Sequence, residues 1–189
     1  MVKTSTTKIT FSEYLNYEDG TDNLYELANG ELLLVNPPAK RHFNISRFLV
    51  KLFEQEISRQ GLDIEVFTGI GVRTGLTSSR IPDVSLVHGE VWRNLPDEVS
   101  AVIQVPLLLA VEIVSSGQEQ ISRDYTEKVR EYRETGISEY WIVDPIAQKI
   151  TILVLEQGSY RQTVYQADDA VLSNLFPQLQ VSAIAILSA

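Results

Sequence analysis

An apolar run over residues 107–114 is interrupted by a single acid, and it constrains the fold more than any other segment. The run reads Leu-Leu-Leu-Ala-Val-Glu-Ile-Val, and the acid is Glu112. A short, continuous apolar run of this kind is typical of a strand that is buried on both faces of a sheet. An ionised carboxylate in that setting is costly unless a cation, a metal or a hydrogen-bond donor compensates it. The sequence therefore predicts that Glu112 has such a partner.

Two charged residues elsewhere in the chain are candidates for that partnership. Asp83 stands near the head of another apolar run, residues 82–87, and Lys128 lies in the segment that follows Glu112. Two carboxylates that converge on one point can hold a cation, and an amine beside them can orient water or offset negative charge. This combination is typical of metal-dependent phosphodiester hydrolysis. For Asp83, the competing interpretation is an aspartate that only caps a turn after Pro82.

The segment from about 118 to 134 has the pattern of an amphipathic helix that ends at Gly136. At about 100° per residue, one arc of roughly 100° holds Ile121, Tyr125, Lys128, Val129 and Tyr132. Either the Lys128 ammonium reaches Glu112, or its stem covers apolar surface while the ammonium reaches water. Asp124, one turn earlier, is a second partner for Lys128 or a member of a weak surface pair.

Composition limits both the class of protein and the kind of metal site. The 189 residues are 44% apolar and 22% charged, which fits one globular domain over residues 1–189 with 1–10 as a loose lead-in. The chain has no cysteine and two histidines, so thiolate and zinc sites are not expected. Oxygen ligands favour Mg²⁺ or Mn²⁺. We expect a cytoplasmic protein outside the membrane, because its apolar runs are too short to span one.

The charge distribution argues against a surface that attracts phosphate backbones throughout, because the net charge is −9. A local basic groove remains compatible with this charge. Basic residues cluster on two predicted helices, with Lys40, Arg41, Arg47 and Lys51 on the first and Arg123, Lys128, Arg130 and Arg133 on the second. Most such charges simply keep a helix face in water.

Secondary-structure signals along the chain predict a mixed sheet with helices. Asn29-Gly30 between two strand-like runs indicates a hairpin over about 25–35. Apolar residues at helical spacing from about 41 to 60 predict a helix that ends at Gly61. Further strands are expected near 64–67, 71–73, 82–87 and 139–143, with a short helix starting at Pro96. The order is too irregular for a Rossmann unit, so an α/β or α+β domain with a central mixed sheet remains.

The C-terminal part of the chain adds apolar strand-like segments. A hairpin is indicated by residues 150–155 and 160–165, and the tail 181–187 also has a strand-like pattern. Together they supply more strand surface than one small sheet covers, and an uncovered sheet edge favours pairing with a second copy. We therefore expect a homodimer.

His42 heads the first long predicted helix, on the same side as Leu49 and Phe53. A single histidine on an apolar helix face is most often a packing residue. The alternative is that it hydrogen-bonds a phosphate or the water shell of a metal.

Several of these motifs together resemble a known family. Pro82-Asp83, followed by Val111-Glu112-Ile113-Val114, resembles the two central motifs of the PD-(D/E)XK restriction-endonuclease-like superfamily. Over about residues 10–180 the chain is similar to the Uma-type family, a large, cyanobacteria-rich group of restriction-endonuclease-like proteins. The longer pattern consists of Tyr25-Glu26-Leu27, Gly30-Glu31, Pro37-Pro38, His42, Arg123-Asp124, Lys128, Tyr132 and the run from Gly136 to Pro145.

The resemblance implies an α/β fold of the restriction-endonuclease type. Its core would be a mixed sheet of four or five strands between the two long helices, extended by the N-terminal and C-terminal hairpins. It also implies Mg²⁺-dependent or Mn²⁺-dependent hydrolysis of DNA.

The resemblance further implies roles for individual residues. Asp83, Glu112 and the carbonyl of Ile113 would be the metal ligands. In the superfamily a lysine stands two residues after the glutamate, where this chain has Val114. Lys128 would take its place from the following helix. The catalytic residues would be Asp83, Glu112, Lys128 and His42.

A second interpretation stays open. The chain could be a catalytically silent member of this fold that acts as a protein-binding or nucleic-acid-binding homodimer. The acidic pI near 4.7 favours this alternative, whereas the presence of Asp83, Glu112 and Lys128 favours the enzyme. Fold resemblance alone does not establish activity.

Overall fold

Two β-sheets organise the chain in a computed structural model that describes residues 8–98, 100–117 and 121–189. The strands are β1 (Tyr25–Ala28), β2 (Glu31–Leu34), β3 (Ile64–Phe67), β4 (Gly71–Gly75), β5 (Ser78–Arg80), β6 (Val84–His88), β7 (Val102–Ile103), β8 (Leu109–Ile113), β9 (Glu139–Asp144), β10 (Lys149–Glu156) and β11 (Ser159–Tyr165). The helices are α1 (Phe11–Leu15), α2 (Lys40–Gln60), α3 (Gly89–Arg93), α4 (Lys128–Thr135) and α5 (Ala183–Leu187). A π-helical turn, Arg123–Glu127, leads directly into α4. Within the described ranges, no helix combines the length and the apolar character needed to cross a membrane.

The larger sheet, which we call the central sheet, has the strand order β11-β10-β9-β8-β6-β3. It is mixed, because β8 and β9 run parallel while its other neighbouring strands are antiparallel. This confirms the predicted α/β fold with a mixed central sheet. Its core consists of the four strands β3, β6, β8 and β9, and the C-terminal hairpin β10-β11 pairs onto β9 and extends the sheet to six strands, as expected.

Burial on both faces of β8 confirms the interpretation of the apolar run. Leu109, Val111 and Ile113 belong to the apolar cluster that contains Leu49 and Phe53 of α2. Ala110, between them, faces the opposite cluster, which contains Tyr132 of α4. Since side chains alternate along a strand, Glu112 points to the α4 face. The strand therefore presents its one carboxylate to the helix that carries Lys128.

Helix α2 begins and ends where the sequence indicates. It follows Pro37-Pro38 and ends at Gly61, which adopts a left-handed conformation with φ 63° and closes the helix through its backbone N–H. Its buried residues Ile45, Leu49 and Phe53 recur at helical spacing and pack on the central sheet. This packing fixes the first turn of α2 beside the ends of β6 and β8.

The N-terminal hairpin forms as predicted, but it belongs to a different sheet. Asn29 and Gly30 both have positive φ angles, 51° and 84°, and connect β1 to β2. The hairpin joins a second sheet with the order β2-β1-β5-β4-β7 instead of extending the central sheet. The hairpin was expected to extend the central sheet, and this expectation was wrong, because β1 pairs with β5 of the second sheet.

The short helix expected at Pro96 is displaced toward the N-terminus. Helix α3 covers Gly89–Arg93, and the backbone N–H of Asn94 closes it by bonding to the carbonyl of Glu90. Val91 and Trp92 pack against the apolar cluster on the α4 face, whereas Asp97 and Glu98 are exposed. Burial of those two apolar side chains outweighs the helix-start signal at Pro96.

The apolar tail is a helix and not a strand, so the expectation for 181–187 was wrong. Ser182 caps α5 by accepting a hydrogen bond from the Ala185 backbone N–H. Ala183, Ile186 and Leu187 are buried at helical spacing, and α5 contacts α2 and β10. The tail therefore covers the central sheet of its own chain instead of leaving it open to a partner.

The helix expected over about 118–134 is observed only in part. Residues 118–120 lie outside the described residues. From 121 onward the segment is helical and ends at Gly136, which has a φ of 90°. The π-helical turn shifts the register by one residue, because the Lys128 backbone N–H bonds to the carbonyl of Arg123, five residues earlier.

Candidate active site

A cleft of about 940 Å³ opens between the start of α2, the ends of β6 and β8 and the beginning of α4. The structure brings every residue of the predicted site to this one cleft. Its lining includes His42, Asp83, Glu112, Ile113 and Lys128. Their roles stay a prediction.

Asp83 and Glu112 come from two neighbouring antiparallel strands. Asp83 directly precedes β6, and Glu112 belongs to β8, which pairs with β6. The Asp83 backbone N–H donates to the carbonyl of Val111, the residue before Glu112, at 3.0 Å. Both carboxylates line the cleft at this end of the central sheet.

The Asp83 carboxylate is held from two directions. Its Oδ2 accepts a hydrogen bond from the Ile113 backbone N–H at 2.6 Å. Its Oδ1 lies 2.8 Å from Nε2 of His42, and the other ring nitrogen of His42 lies 3.3 Å from the Ser115 hydroxyl. With its side chain 25% exposed, Asp83 is the more open of the two central carboxylates. His42 therefore contacts the predicted metal ligand itself, which neither interpretation from the sequence had specified.

The Glu112 carboxylate is buried and has two strong partners. Its Oε2 lies 2.7 Å from Nζ of Lys128, and its Oε1 accepts a hydrogen bond from the Tyr132 hydroxyl at 2.6 Å. Burial raises the pKa of Glu112 to about 8, against the lowering effect of Lys128 and with support from the nearby carboxylates of Asp83 and Asp124. An excess of negative charge thus surrounds this carboxylate, a setting that a bound cation would relieve.

Lys128 points into the protein, so its ammonium does not extend to solvent. The residue is 2% exposed, and its Nζ lies 3.5 Å from Asp124 and 3.7 Å from Glu26, besides its contact with Glu112. The three carboxylates raise the pKa of Lys128 although burial acts to lower it. The ammonium is therefore fixed, charged, at the centre of an acidic cluster.

A second buried ion cluster adjoins the first, and sequence reasoning missed it. Arg80 of β5 is 1% exposed. Its guanidinium donates to both oxygens of Glu131, at 2.8 and 2.6 Å, and to Glu26 at 3.1 Å. Glu26 also accepts from the Ile81 backbone N–H at 3.1 Å, two residues before Asp83. Glu26, on β1 of the second sheet, thus contacts Arg80, the Ile81 backbone close to Asp83, and the Lys128 ammonium.

Neither Arg80 nor Glu131 carried a signal in the sequence that could have placed it. Arg80 lies in a stretch rich in turn-forming residues, and Glu131 falls outside the apolar arc of its helix. Glu26 did form part of the Tyr25-Glu26-Leu27 pattern, without a role assigned to it. Their proximity depends on pairing between strands and on helix packing over 51 to 54 residues of sequence separation.

The donor atoms in the cleft fit a hard divalent cation. Asp83 and Glu112 supply carboxylate oxygens, and Mg²⁺ typically uses one or two protein carboxylates together with water and substrate oxygens. Within residues 8–98, 100–117 and 121–189, no cluster of three or more histidine, cysteine, aspartate or glutamate side chains has the arrangement of a metal site. The Ile113 N–H contacts Asp83, and the expected role of its carbonyl stays a prediction.

Residues 11–186 match the model of a protein family that is described as "Uma2: Putative restriction endonuclease". The chain belongs to the Uma2 family. The match covers every element of the site, from Glu26 to Lys128, which agrees with the resemblance of the motifs. A search of curated proteins gave no match for this Uma2 chain.

A crystal structure from Anabaena variabilis ATCC 29413, titled as "a putative nuclease belonging to DUF820", has a similar fold. The two proteins superpose with a TM-score of 0.77 and are 20% identical, and the alignment covers 95% of this chain and 98% of that one. At this level of identity the similarity establishes the fold of the Uma2 chain.

Proposed function

We propose that this protein is a Mg²⁺-dependent or Mn²⁺-dependent endonuclease that hydrolyses DNA phosphodiester bonds, with an active site of the PD-(D/E)XK type. The observation that carries the proposal is the convergence of Asp83, Glu112 and Lys128 in one cleft, with the lysine 2.7 Å from the glutamate. Membership of a family described as restriction endonucleases and the fold shared with a protein titled a nuclease support it.

In this proposal Asp83 and Glu112 hold the cation, and the carbonyl of Ile113 is a further ligand. A bound divalent cation supplies Lewis-acid polarisation of the phosphoryl group and a lowered pKa for a coordinated water. The Ile113 N–H and His42 orient Asp83 from two sides. Tyr132 and Lys128 do the same for Glu112. The carboxylates are thus held in place before a substrate arrives, which reduces reorganisation during the reaction.

In the proposal, Lys128 and His42 are the side chains that act on the reacting phosphate. The Lys128 ammonium remains charged and offsets negative charge that builds on the phosphoryl oxygens in the transition state. His42 is 15% exposed at the cleft, beside the more open carboxylate. From there it can donate a hydrogen bond to the substrate phosphate or to the water shell of the cation.

The test is a cleavage assay on plasmid and linear DNA with purified protein. We expect nicking or degradation that requires Mg²⁺ or Mn²⁺ and stops when a chelator is added. Asp83→Asn serves as the matched inactive variant, because it keeps the shape of the side chain and removes its charge. Cation binding without cleavage of any DNA would instead favour the catalytically silent binding protein.

We also propose that the protein forms a homodimer. The support is narrower than the sequence suggested, because the tail that was expected to add strand surface is the buried helix α5. What remains is β11, which ends the strand order of the central sheet and has several exposed side chains. An edge strand of this kind can pair with a second copy of itself.

A further inference from the structure

One face of helix α2 leads away from the proposed catalytic groups and forms a wall of the cleft. Beyond His42, this face presents Phe43, Arg47, Val50 and Lys51 to the cleft. Lys51 follows Arg47 by four positions, which correspond to about 6 Å along the helix axis. An aromatic ring and two cationic side chains therefore follow one another in a line that starts at the candidate metal site.

The Phe43 ring is unusually open for an aromatic side chain. It is 55% exposed although it lines a cleft. Leu24, on another wall of the same cleft, is 48% exposed. Large apolar side chains that are left open around a concave polar site are typical of a surface that receives a ligand.

Arg47 and Lys51 differ from the other cations of the cleft. Lys128 and Arg123 both contact Asp124, within the acidic cluster. Within the part of the chain that the structure describes, Arg47 and Lys51 form no ion pair with an acidic side chain. These two side chains are thus available to bind an anion, and they lie on the same helix face as the open aromatic ring.

We propose that this cleft binds DNA as a single strand, with a base stacked on Phe43 and backbone phosphates bound by Arg47 and Lys51. The inference rests on the proposed nuclease function and specifies its substrate class. Proteins that bind single strands combine a cationic path for the backbone with aromatic side chains on which bases stack. The face of α2 has both features and directs the strand toward Asp83.

Intact duplex DNA fits these observations less well. In a duplex the faces of the bases are stacked on one another, so a ring such as Phe43 has no base face to contact unless a base is first extruded. Proteins that bind duplexes also neutralise many phosphates. Among the described residues, only Arg47 and Lys51 are unpaired cations in the cleft, and the net charge of the chain is −9.

The experiment is a fluorescence-anisotropy titration in Mg²⁺ with a probe that resists hydrolysis. The probe is a labelled phosphorothioate oligonucleotide of about 12 nucleotides, long enough to cover a single-strand site. It is titrated alone and annealed to its complement. We expect the single strand to bind about tenfold more tightly than the duplex, since stacking on one aromatic residue has an effect of this order. Equal or tighter binding of the duplex, or no binding of either probe, would overturn the inference.

Substitutions at Phe43 separate stacking from simple apolar contact. We expect Phe43→Ala and Phe43→Leu to weaken single-strand binding about tenfold, and Phe43→Trp to retain it, because only an aromatic ring stacks on a base. The control is Leu76→Ala, which removes an 85% exposed apolar side chain outside the cleft. If Phe43→Ala changes the sedimentation of the protein but not its affinity for the single strand, the exposed ring belongs to a protein interface and the inference fails.

The salt dependence tests the two cations. Each phosphate contact with a single strand contributes about −0.7 to the slope of log affinity against log salt concentration. Arg47→Ala and Lys51→Ala should each flatten the slope by about 0.7, and the double variant by about 1.4. Arg130→Ala is the matched control, because Arg130 is exposed and does not line the cleft. Equal slopes in all variants would show that neither cation binds a phosphate.

Cleavage of unmodified single-stranded and duplex DNA, measured in parallel, keeps the two proposals apart. Faster cleavage of the duplex would support the nuclease function and overturn the assignment of single-stranded DNA as the substrate. Tight binding of the single strand through Phe43 without any cleavage would overturn the nuclease function and leave the binding site. Faster cleavage of the single strand, reduced by Phe43→Ala, is the result that supports both.

Discussion

Nζ of Lys128 lies 2.7 Å from Oε2 of Glu112, and both residues are almost fully buried. The contact joins a strand and a helix that are consecutive in the chain. The contact explains how the apolar strand β8 can contain one buried carboxylate. The same contact places an ammonium at the position where the proposed reaction needs positive charge.

Lys128 should contribute strongly to stability as well as to activity. Lys128→Met removes the cation from a buried carboxylate cluster, and loss of one partner of a buried pair typically costs about 3–5 kcal/mol. Urea denaturation measures the loss, with the exposed Arg130→Ala as the control. Adding Glu112→Gln to Lys128→Met should restore part of the stability, because a neutral amide needs no cationic partner. A double variant no more stable than Lys128→Met would contradict a direct pairing of the two residues.

Substitutions of the proposed metal ligands should lower Mg²⁺ affinity, whereas substitution of the proposed catalytic lysine should lower turnover. Asp83→Asn and Glu112→Gln are expected to lose Mg²⁺ affinity, since each removes a ligand charge. Lys128→Arg keeps a cation but changes its shape, so it should bind the metal and lose turnover, by about 10²-fold or more if the ammonium stabilises the transition state. Isothermal titration and single-turnover cleavage report the two properties. If all three variants lost metal affinity equally, Lys128 would have no separate role in turnover.

The pH dependence of stability follows from the raised pKa of Glu112, about 8 in the folded protein against an ordinary value of 4.5. Between these values the folded state holds a proton that the unfolded state has lost, so stability falls as pH rises through this window. Thermal melts of the metal-free protein from pH 5 to pH 9 should show a decrease that Glu112→Gln reduces. An unchanged profile in the variant would mean that other groups cause the decrease.

Added Mg²⁺ should counteract this effect, because it binds the ionised carboxylate. We therefore expect the rise in melting temperature on adding Mg²⁺ to be larger at pH 8.5 than at pH 6, as metal ligands must be deprotonated. In Asp83→Asn this rise should be small at both pH values.

Tyr132 should be the most important neutral partner of Glu112. Tyr132→Phe removes only the hydroxyl that donates to Oε1, and at pH 9, above the pKa of Glu112, a hydrogen bond to its charged form contributes about 1.5–3 kcal/mol. Tyr160→Phe is a matched control, because the Tyr160 hydroxyl donates to a neutral backbone carbonyl, that of Ile137, at 2.8 Å. We expect a smaller loss there, about 1 kcal/mol. Equal losses in urea denaturation would indicate that Glu112 is protonated at the pH of the measurement.

The homodimer can be tested at the edge of the central sheet. Sedimentation at micromolar concentration should show a dimer, and Val164→Lys should weaken it, because a lysine on an exposed edge strand opposes pairing with another strand. Val164 is 43% exposed on β11. The control, Leu172→Lys, changes a 65% exposed residue outside the strands. A monomer at all concentrations would contradict the proposal.

The predicted strands and helices of the core are confirmed because their signals depend on residues that are close together in the sequence. The Asn29-Gly30 turn, the apolar spacing of α2 and the stop at Gly61 are all properties of a few adjacent residues. The apolar tail was misread because an apolar run this short is compatible with either a strand or a helix. The Ser182 cap and burial against α2 decide for the helix.

The arc of buried side chains predicted for the helix that carries Lys128 contains only some of its buried residues. It placed Lys128 and Tyr132 on the buried side, and both are buried. It did not include Asp124 and Glu131, which are buried as well. Charged residues are expected at the surface unless they are paired, and their partners, Lys128 and Arg80, come together only when the helix packs against β4, β5 and β8.

The sequence by itself determined that Glu112 is buried and needs compensation, that any metal would be held by oxygen, and that the chain resembles one family. These conclusions follow from local pattern and composition. Only the tertiary structure decided which cation meets Glu112, that His42 contacts Asp83, and that Arg80 joins Glu26 to Glu131. Such contacts link residues far apart in the chain, and their strength comes from exclusion of water, which exists only after the sheets and helices have packed.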